Sequence, residues 1–199
     1  MARKIDHEAR KRAIVARAMH LFSQVGYDNV SLIMIAAASG VARTVLYRYF
    51  CSKREVLDAA ILETTRHIMD DCRGVLAGRR PVADKLEAIC FATVDTLFDK
   101  RQFLVAVYDF VIAMVRTGAD MSGKIYEFTS GIRETFVRLI DEGKSRKEFA
   151  ADVDTVRTAD TLYSFFESFT MRLIMRTENG PEAAKARFQD MIASIARKG

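Results

Sequence analysis

Arg43, Thr44, Tyr47 and Arg48 are spaced i, i+1, i+4 and i+5, so a helix through them would carry all four on one face. Leu46 and Phe50, four apart, would lie on the opposite, buried face. Guanidinium, hydroxyl and phenol groups gathered in this way offer recognition by hydrogen bonds rather than bond-making chemistry. Arg43 has the donor geometry for the O6/N7 edge of guanine, and Thr44 and Val45 suit thymine methyl or base-edge contacts. Tyr47, Tyr49 and Lys53 carry donors suited to phosphate oxygens, Arg48 adds charge to the same face, and Ser31 stands at the start of the preceding segment.

The stretch Ser31 to Lys53, SLIMIAAASGVARTVLYRYFCSK, must position these groups. Ser31 is a good N-cap, Val30 and Ile35 occupy the two positions of a hydrophobic staple, and Leu32, Ile35 and Ala36 recur at helical spacing. Met34 stands where a capping box would need Glu or Gln. Gly40 suits the left-handed residue that ends a helix, and Val41 follows where a Schellman motif places its apolar contact. Two helices joined by a short turn containing Gly, with donors on the second, is the helix-turn-helix arrangement that sets the second helix in a major groove.

The string GVARTVLYRYFCSKREVL closely resembles the TetR family of bacterial transcriptional regulators, whose members commonly carry Gly-Val-Ser, Leu-Tyr, a following aromatic with Phe, and Ser-Lys at these spacings. The resemblance is strong over roughly residues 10 to 60 and elsewhere extends to length and helical layout. Ala42 departs from it, standing where Ser usually caps the recognition helix, and so do Ile33 and Met34, where polar residues are common. The resemblance implies a homodimer on double-stranded DNA, and a helical body with an apolar small-molecule pocket and a four-helix dimer seam.

Charge agrees with a polyanion-binding head. Residues 1–57 hold ten Lys/Arg against four Asp/Glu, leaving 21 against 22 for the remainder of a chain of formal charge +5. Arg3, Lys4, Arg10, Lys11 and Arg12 cluster at the start of the first predicted helix, where they disfavour the helix dipole and point to a compensating anion. No Gly-rich phosphate loop, HExxH or GxSxG occurs, and His7, His20 and His67 are scattered, so neither catalysis nor a metal or cofactor is expected. Cys51, Cys72 and Cys90 have no paired spacing and read as reduced thiols, with Cys51 beside Lys53 and Arg54 the one candidate redox sensor. Without a signal-peptide core or an 18-residue apolar run, a cytosolic protein with no membrane partner is expected.

Apolar residues recur at three and four throughout and only two prolines occur, so an all-α fold of about nine helices is expected. The pattern predicts helices over about 6 to 25, two within the motif, then about 53 to 76, 82 to 99, 102 to 117, 124 to 144, 154 to 177, and a last one to about 197. Asp152 or Asp154 would cap the eighth, and Asn179-Gly180-Pro181 breaks the chain before the ninth. The division expected is a DNA-binding domain over 1–52 and an effector-binding and dimerisation domain over 53–199. Phe91, Thr93, Tyr108, Met114, Tyr126, Phe128, Phe166 and Glu167 are the candidate pocket residues, ordinary core being the alternative for each aromatic. Tyr163, Phe166, Thr170 and Ile174, with Phe188, Met191 and Ile195, form the stripes assigned to the dimer seam.

The function expected is a ligand-responsive transcriptional repressor that binds a palindromic operator as a homodimer and is released by an apolar or amphipathic effector. An activator, a ligand-independent DNA binder and a helical protein-interaction module are the rivals.

Overall fold

The computed structural model describes residues 6–178 and 180–196. The described residues form nine α-helices: α1 His7–Val25, α2 Leu32–Ala38, α3 Arg43–Leu46, α4 Lys53–Ala77, α5 Val82–Asp99, α6 Arg101–Arg116, α7 Ser122–Ser145, α8 Thr155–Ile174 and α9 Glu182–Ile195. Among them the only strand-like pairing is an isolated bridge between Phe149 and Ala196. Each boundary falls within a few residues of the periodic pattern. Arg3, Lys4 and Asn179, singled out above, lie outside the described residues.

Two compact units divide the chain. The first takes the described residues up to Thr64 together with Gln102–Ser122, and the second takes Thr65–Arg101 and the described residues from Gly123 on. The first unit is therefore larger than the 1–52 stretch expected for the head, because part of α4 and most of α6 cluster with it. Its core gathers Ile14, Ala18, Phe22, Ile35, Leu46, Phe50, Leu57 and Phe110. Tyr27 plugs this core between two rings, 5.8 Å from Phe22 and 4.7 Å from Phe110. Its burial raises the phenol pKa. Val25, at the end of α1, is 40% exposed.

The second unit is held by α5, α7, α8 and α9. Phe166 lies 6.1 Å from Phe136 and 4.5 Å from Phe188, and Phe165 meets Phe188 edge-on at 4.7 Å. Lys85 is buried with its ammonium 2.9 Å from Glu142, which also pairs with Arg146 at 2.5 Å. Glu148 accepts the Val82 N–H at 2.5 Å and so closes the start of α5, where Pro81 supplies no side-chain cap. Asp95, 2.7 Å from Lys185, raises the pKa of that lysine and ties α5 to α9. Gly143 has no room for a side chain, because a Cβ there would enter the Phe149 ring.

Of the two candidate caps for α8, Asp154 does the capping, accepting the Arg157 N–H at 3.0 Å. That N–H and then the Arg157 side chain hold the Asp154 carboxyl below the ordinary carboxylate range. Burial raises the Cys72 thiol pKa and raises that of Cys90 much further.

Candidate nucleic-acid interface

The interface is built from the turn outward. The Ser31 Oγ accepts the Met34 N–H at 3.3 Å and starts α2, with Val30 and Ile35 buried beneath as the staple. At the other end the Gly40 N–H bonds to the Ala37 carbonyl and the Val41 N–H to the Ala36 carbonyl, both at 3.1 Å. These are the two bonds of a Schellman motif, and Gly40 takes the left-handed conformation the motif requires, with φ +64°. The chain reverses there and α3 begins after Ala42, which provides no side-chain cap.

From α3 the backbone continues as a tightening helix. Tyr47 N–H bonds to the Arg43 carbonyl at 3.0 Å, four residues back, whereas Arg48 and Tyr49 bond three residues back, at 3.2 and 2.9 Å. Leu46 and Phe50 are buried by this arrangement, and Arg43, Thr44, Tyr47 and Arg48 are exposed. Tyr47 is 49% exposed despite its ring, as a side chain held out toward a partner would be. Val45 and Tyr49 are half-buried at the edges, and Ser31 is exposed although its oxygen is engaged as a cap.

Lys53 does something the sequence did not announce. Its ammonium donates to the carbonyls of Tyr27 and Asp28 at 3.0 and 3.1 Å and lies 4.4 Å from the Tyr27 ring centroid. It secures the loop between α1 and α2 with two of the three donors of its ammonium. The neighbouring Ser52 and Glu55 form a capping pair: Ser52 Oγ accepts the Glu55 N–H at 3.2 Å and Glu55 accepts the Cys51 N–H at 2.8 Å. The Ser-x-x-Glu spacing was readable as a helix start. On α1, Lys11 lies 5.8 Å from the centroid of Phe50, and His7 Nδ1 lies 2.9 Å from the Tyr49 hydroxyl. That contact spans 42 positions and leaves no signal in the sequence.

The residues assigned to a pocket are divided between the two units. Thr93 is buried with its hydroxyl returned to the Ile89 carbonyl at 2.7 Å, a bond within its own helix. Phe166 is core, Glu167 is exposed, and Phe91 and Phe128 are half-buried. Tyr108 and Met114 belong to the first unit, where Met114 packs on the core. Tyr126, 62% exposed, lines an open depression of about 560 Å³ between α7 and α8, with Ser130, Arg133, Val137, Arg138 and Val156 among its neighbours. Arg133 pairs there with Asp160.

The stripes assigned to a dimer seam are buried in part. Phe166, Thr170 and Phe188 are buried within the single chain, and Tyr163, Ile174, Met191 and Ile195 are half-buried. What α8 leaves exposed is another face, with Ser164, Ser168, Met171 and Met175, and α9 exposes Ala183, Ala186, Ala193 and Ser194. Periodicity identifies one apolar stripe per helix, and here the protomer's own core takes the middle of it and leaves its edges half-buried.

Residues 14–60 match the profile of the bacterial regulatory proteins of the tetR family. Over 194 residues the chain is 21% identical to IcaR of Staphylococcus aureus (strain Newman), a negative transcriptional regulator of the biofilm operon icaADBC, covering 93% of this chain and 96% of that one. Its fold is similar to the fatty acid degradation regulator FadR from Bacillus halodurans, with a TM-score of 0.76 at 20% identity over 92% of this chain and 94% of that one. It is equally similar to FadR from Bacillus subtilis, solved in complex with stearoyl-CoA, with a TM-score of 0.76 at 16% identity over 92% and 97%. No described helix is long and apolar enough to cross a membrane.

Proposed function

The chain belongs to the TetR family of bacterial transcriptional regulators, and from that premise we propose that it is a homodimeric repressor. Its two heads read a palindromic operator, and a small apolar or amphipathic effector releases them. The observation that carries this reading is the exposed face of Arg43, Thr44, Tyr47 and Arg48 on a helix-turn-helix whose first helix has its Ser31 cap, its staple and its Gly40 turn in place. Arg43 reads a guanine, Thr44 and the edge of Val45 contact thymine methyls, and Tyr47, Tyr49 and Arg48 engage the backbone. Lys53 acts mainly by holding the loop at Tyr27 and Asp28. The likeness to a negative regulator supports repression over activation.

Two recognition helices must enter successive major grooves about 34 to 36 Å apart, which requires a second copy. We place the dimer seam on the exposed faces of α8 and α9, around Ser164, Ser168 and Met171 on one helix and Ala183, Ala186 and Ala193 on the other. Small side chains there allow close approach, and Met171 and Met175 are exposed by 42% and 65%. An effector of acyl-chain character fits the likeness to a regulator solved with stearoyl-CoA.

Selection of bound sites from random DNA, with salt-dependent affinity on the selected site, tests the core of this reading. A two-fold symmetric site and a steep salt slope are expected. Loss of all salt-sensitive DNA binding would overturn it in favour of an interaction module. A ligand-independent regulator is the second reading, favoured by the tight packing of Phe136, Phe166 and Phe188. Thermal-shift titration with acyl-CoA and free fatty acids separates the two: a shift with operator release supports the effector, and none supports the second reading.

A further inference from the structure

His7 opens α1, and its Nδ1 meets the Tyr49 hydroxyl at 2.9 Å with the two rings tilted by 45° and 6.0 Å apart. Tyr49 follows α3 directly and is tied to it by an N–H bond to the Leu46 carbonyl. Beside it Phe50 is buried and carries the Lys11 ammonium over its ring. The first two turns of α1 thus bracket the segment that leaves the recognition helix. The hydrogen bond itself is exposed, so the phenol oxygen stays within reach of a partner.

We propose that His7 is a positioning residue of the DNA-reading head, aiming the Tyr49 hydroxyl at the phosphodiester backbone and making DNA affinity depend on pH. The inference rests on the reading of residues 43–53 as the DNA face. A phenol has one O–H to donate, and a neutral imidazole with a bare Nδ1 accepts it, which withholds it from a phosphate. A protonated imidazole can only donate. Its Nδ1–H then bonds to the phenol oxygen, the phenol O–H is free to donate to a phosphate oxygen, and the face gains one positive charge. One proton is taken up from solvent per head, and no other group changes state.

The charged residues nearest His7 in the chain are Asp6, Glu8, Arg10 and Lys11, and Arg48 precedes Tyr49 on the segment that His7 meets. A phosphate brought to Tyr49 adds a negative charge that favours the imidazolium. By reciprocity, binding DNA takes up the proton and added protons tighten DNA binding. Because the contact is to backbone, operator and random DNA respond together.

Fluorescence anisotropy with the selected operator and with random DNA, between about pH 5.5 and 8.5, reads this directly. Affinity of the unaltered protein should rise about tenfold toward acid, the value of one charge-assisted hydrogen bond. His7→Phe and Tyr49→Phe should each flatten the profile, although His20 and His67 remain in both. His7→Lys should restore tight binding without pH dependence, an outcome that a merely structural His7 would not give. Circular dichroism establishes that each variant is folded, and His7→Gln replaces His7→Phe if the latter is not. A pH profile retained in the His7 and Tyr49 variants overturns the inference while leaving the DNA reading intact. Absence of DNA binding by the unaltered protein at every pH overturns the reading beneath it.

Discussion

Arg43 stands at the first turn of α3, exposed, with Tyr47 one turn further on. Arg43→Ala should weaken the operator complex by about 1 to 3 kcal/mol and relax one base position, while random DNA is affected far less. Selection of sites with the variant protein checks this, and equal losses on both DNAs would contradict the base contact. Lys53 invites a different expectation. With its ammonium given to two carbonyls, Lys53→Ala should lower head stability by about 1 kcal/mol, seen as a lower denaturant midpoint without DNA present. The residue types at 43–49 were legible as a polar, basic face, but nothing near Lys53 in the chain signals its hold on Tyr27 and Asp28, 25 and more positions away.

The elements stand on local signals and fail where those signals are removed. Gly40→Ala forces a Cβ into the left-handed region at φ +64°, which should cost about 1 to 2 kcal/mol and loosen the turn that aims α3. Gly143→Ala should be harsher in the second unit, because the Phe149 ring occupies the space; a loss of about 1 to 3 kcal/mol by thermal unfolding is expected. The cap of α8 gives a pH signature. Since the Asp154 pKa is depressed by its bonds to Arg157, its stabilisation is complete above the ordinary carboxylate range and is lost as pH falls through the lowered value. Thermal midpoints of the unaltered protein and of Asp154→Ala should therefore differ at pH 6 and converge as pH falls through the lowered carboxyl value. Helix positions were legible in advance because caps, breakers and a 3.6-residue period are local features. The tie from Glu148 to the start of α5 was not, because it links residues 66 apart.

At the scale of the molecule the decisive matter is which apolar surfaces the protomer keeps for itself. Phe166 and Phe188 stack within one chain, so Phe188→Ala should destabilise the protomer by about 3 to 5 kcal/mol. A change on the outer face, Met171→Glu or Ala186→Glu, should leave the fold intact and convert the dimer to monomer in light scattering. A dimer that survives both substitutions would place the seam elsewhere. Loss of the dimer should weaken operator binding steeply while sparing the single head, since each head then binds alone.

The order of helices, the turn at Gly40 and the outward set Arg43, Thr44, Tyr47 and Arg48 were determined by sequence alone, because each depends on residues within one or two helical turns. The clustering of residues 102–122 with the first unit, the hold of Lys53 on the Tyr27 and Asp28 carbonyls and the bond from His7 to Tyr49 were decided only in three dimensions. So was the split between inner and outer faces of α8 and α9. An apolar stripe says that a face is buried but not against what, and only packing determines whether its partner is the same chain or a second copy.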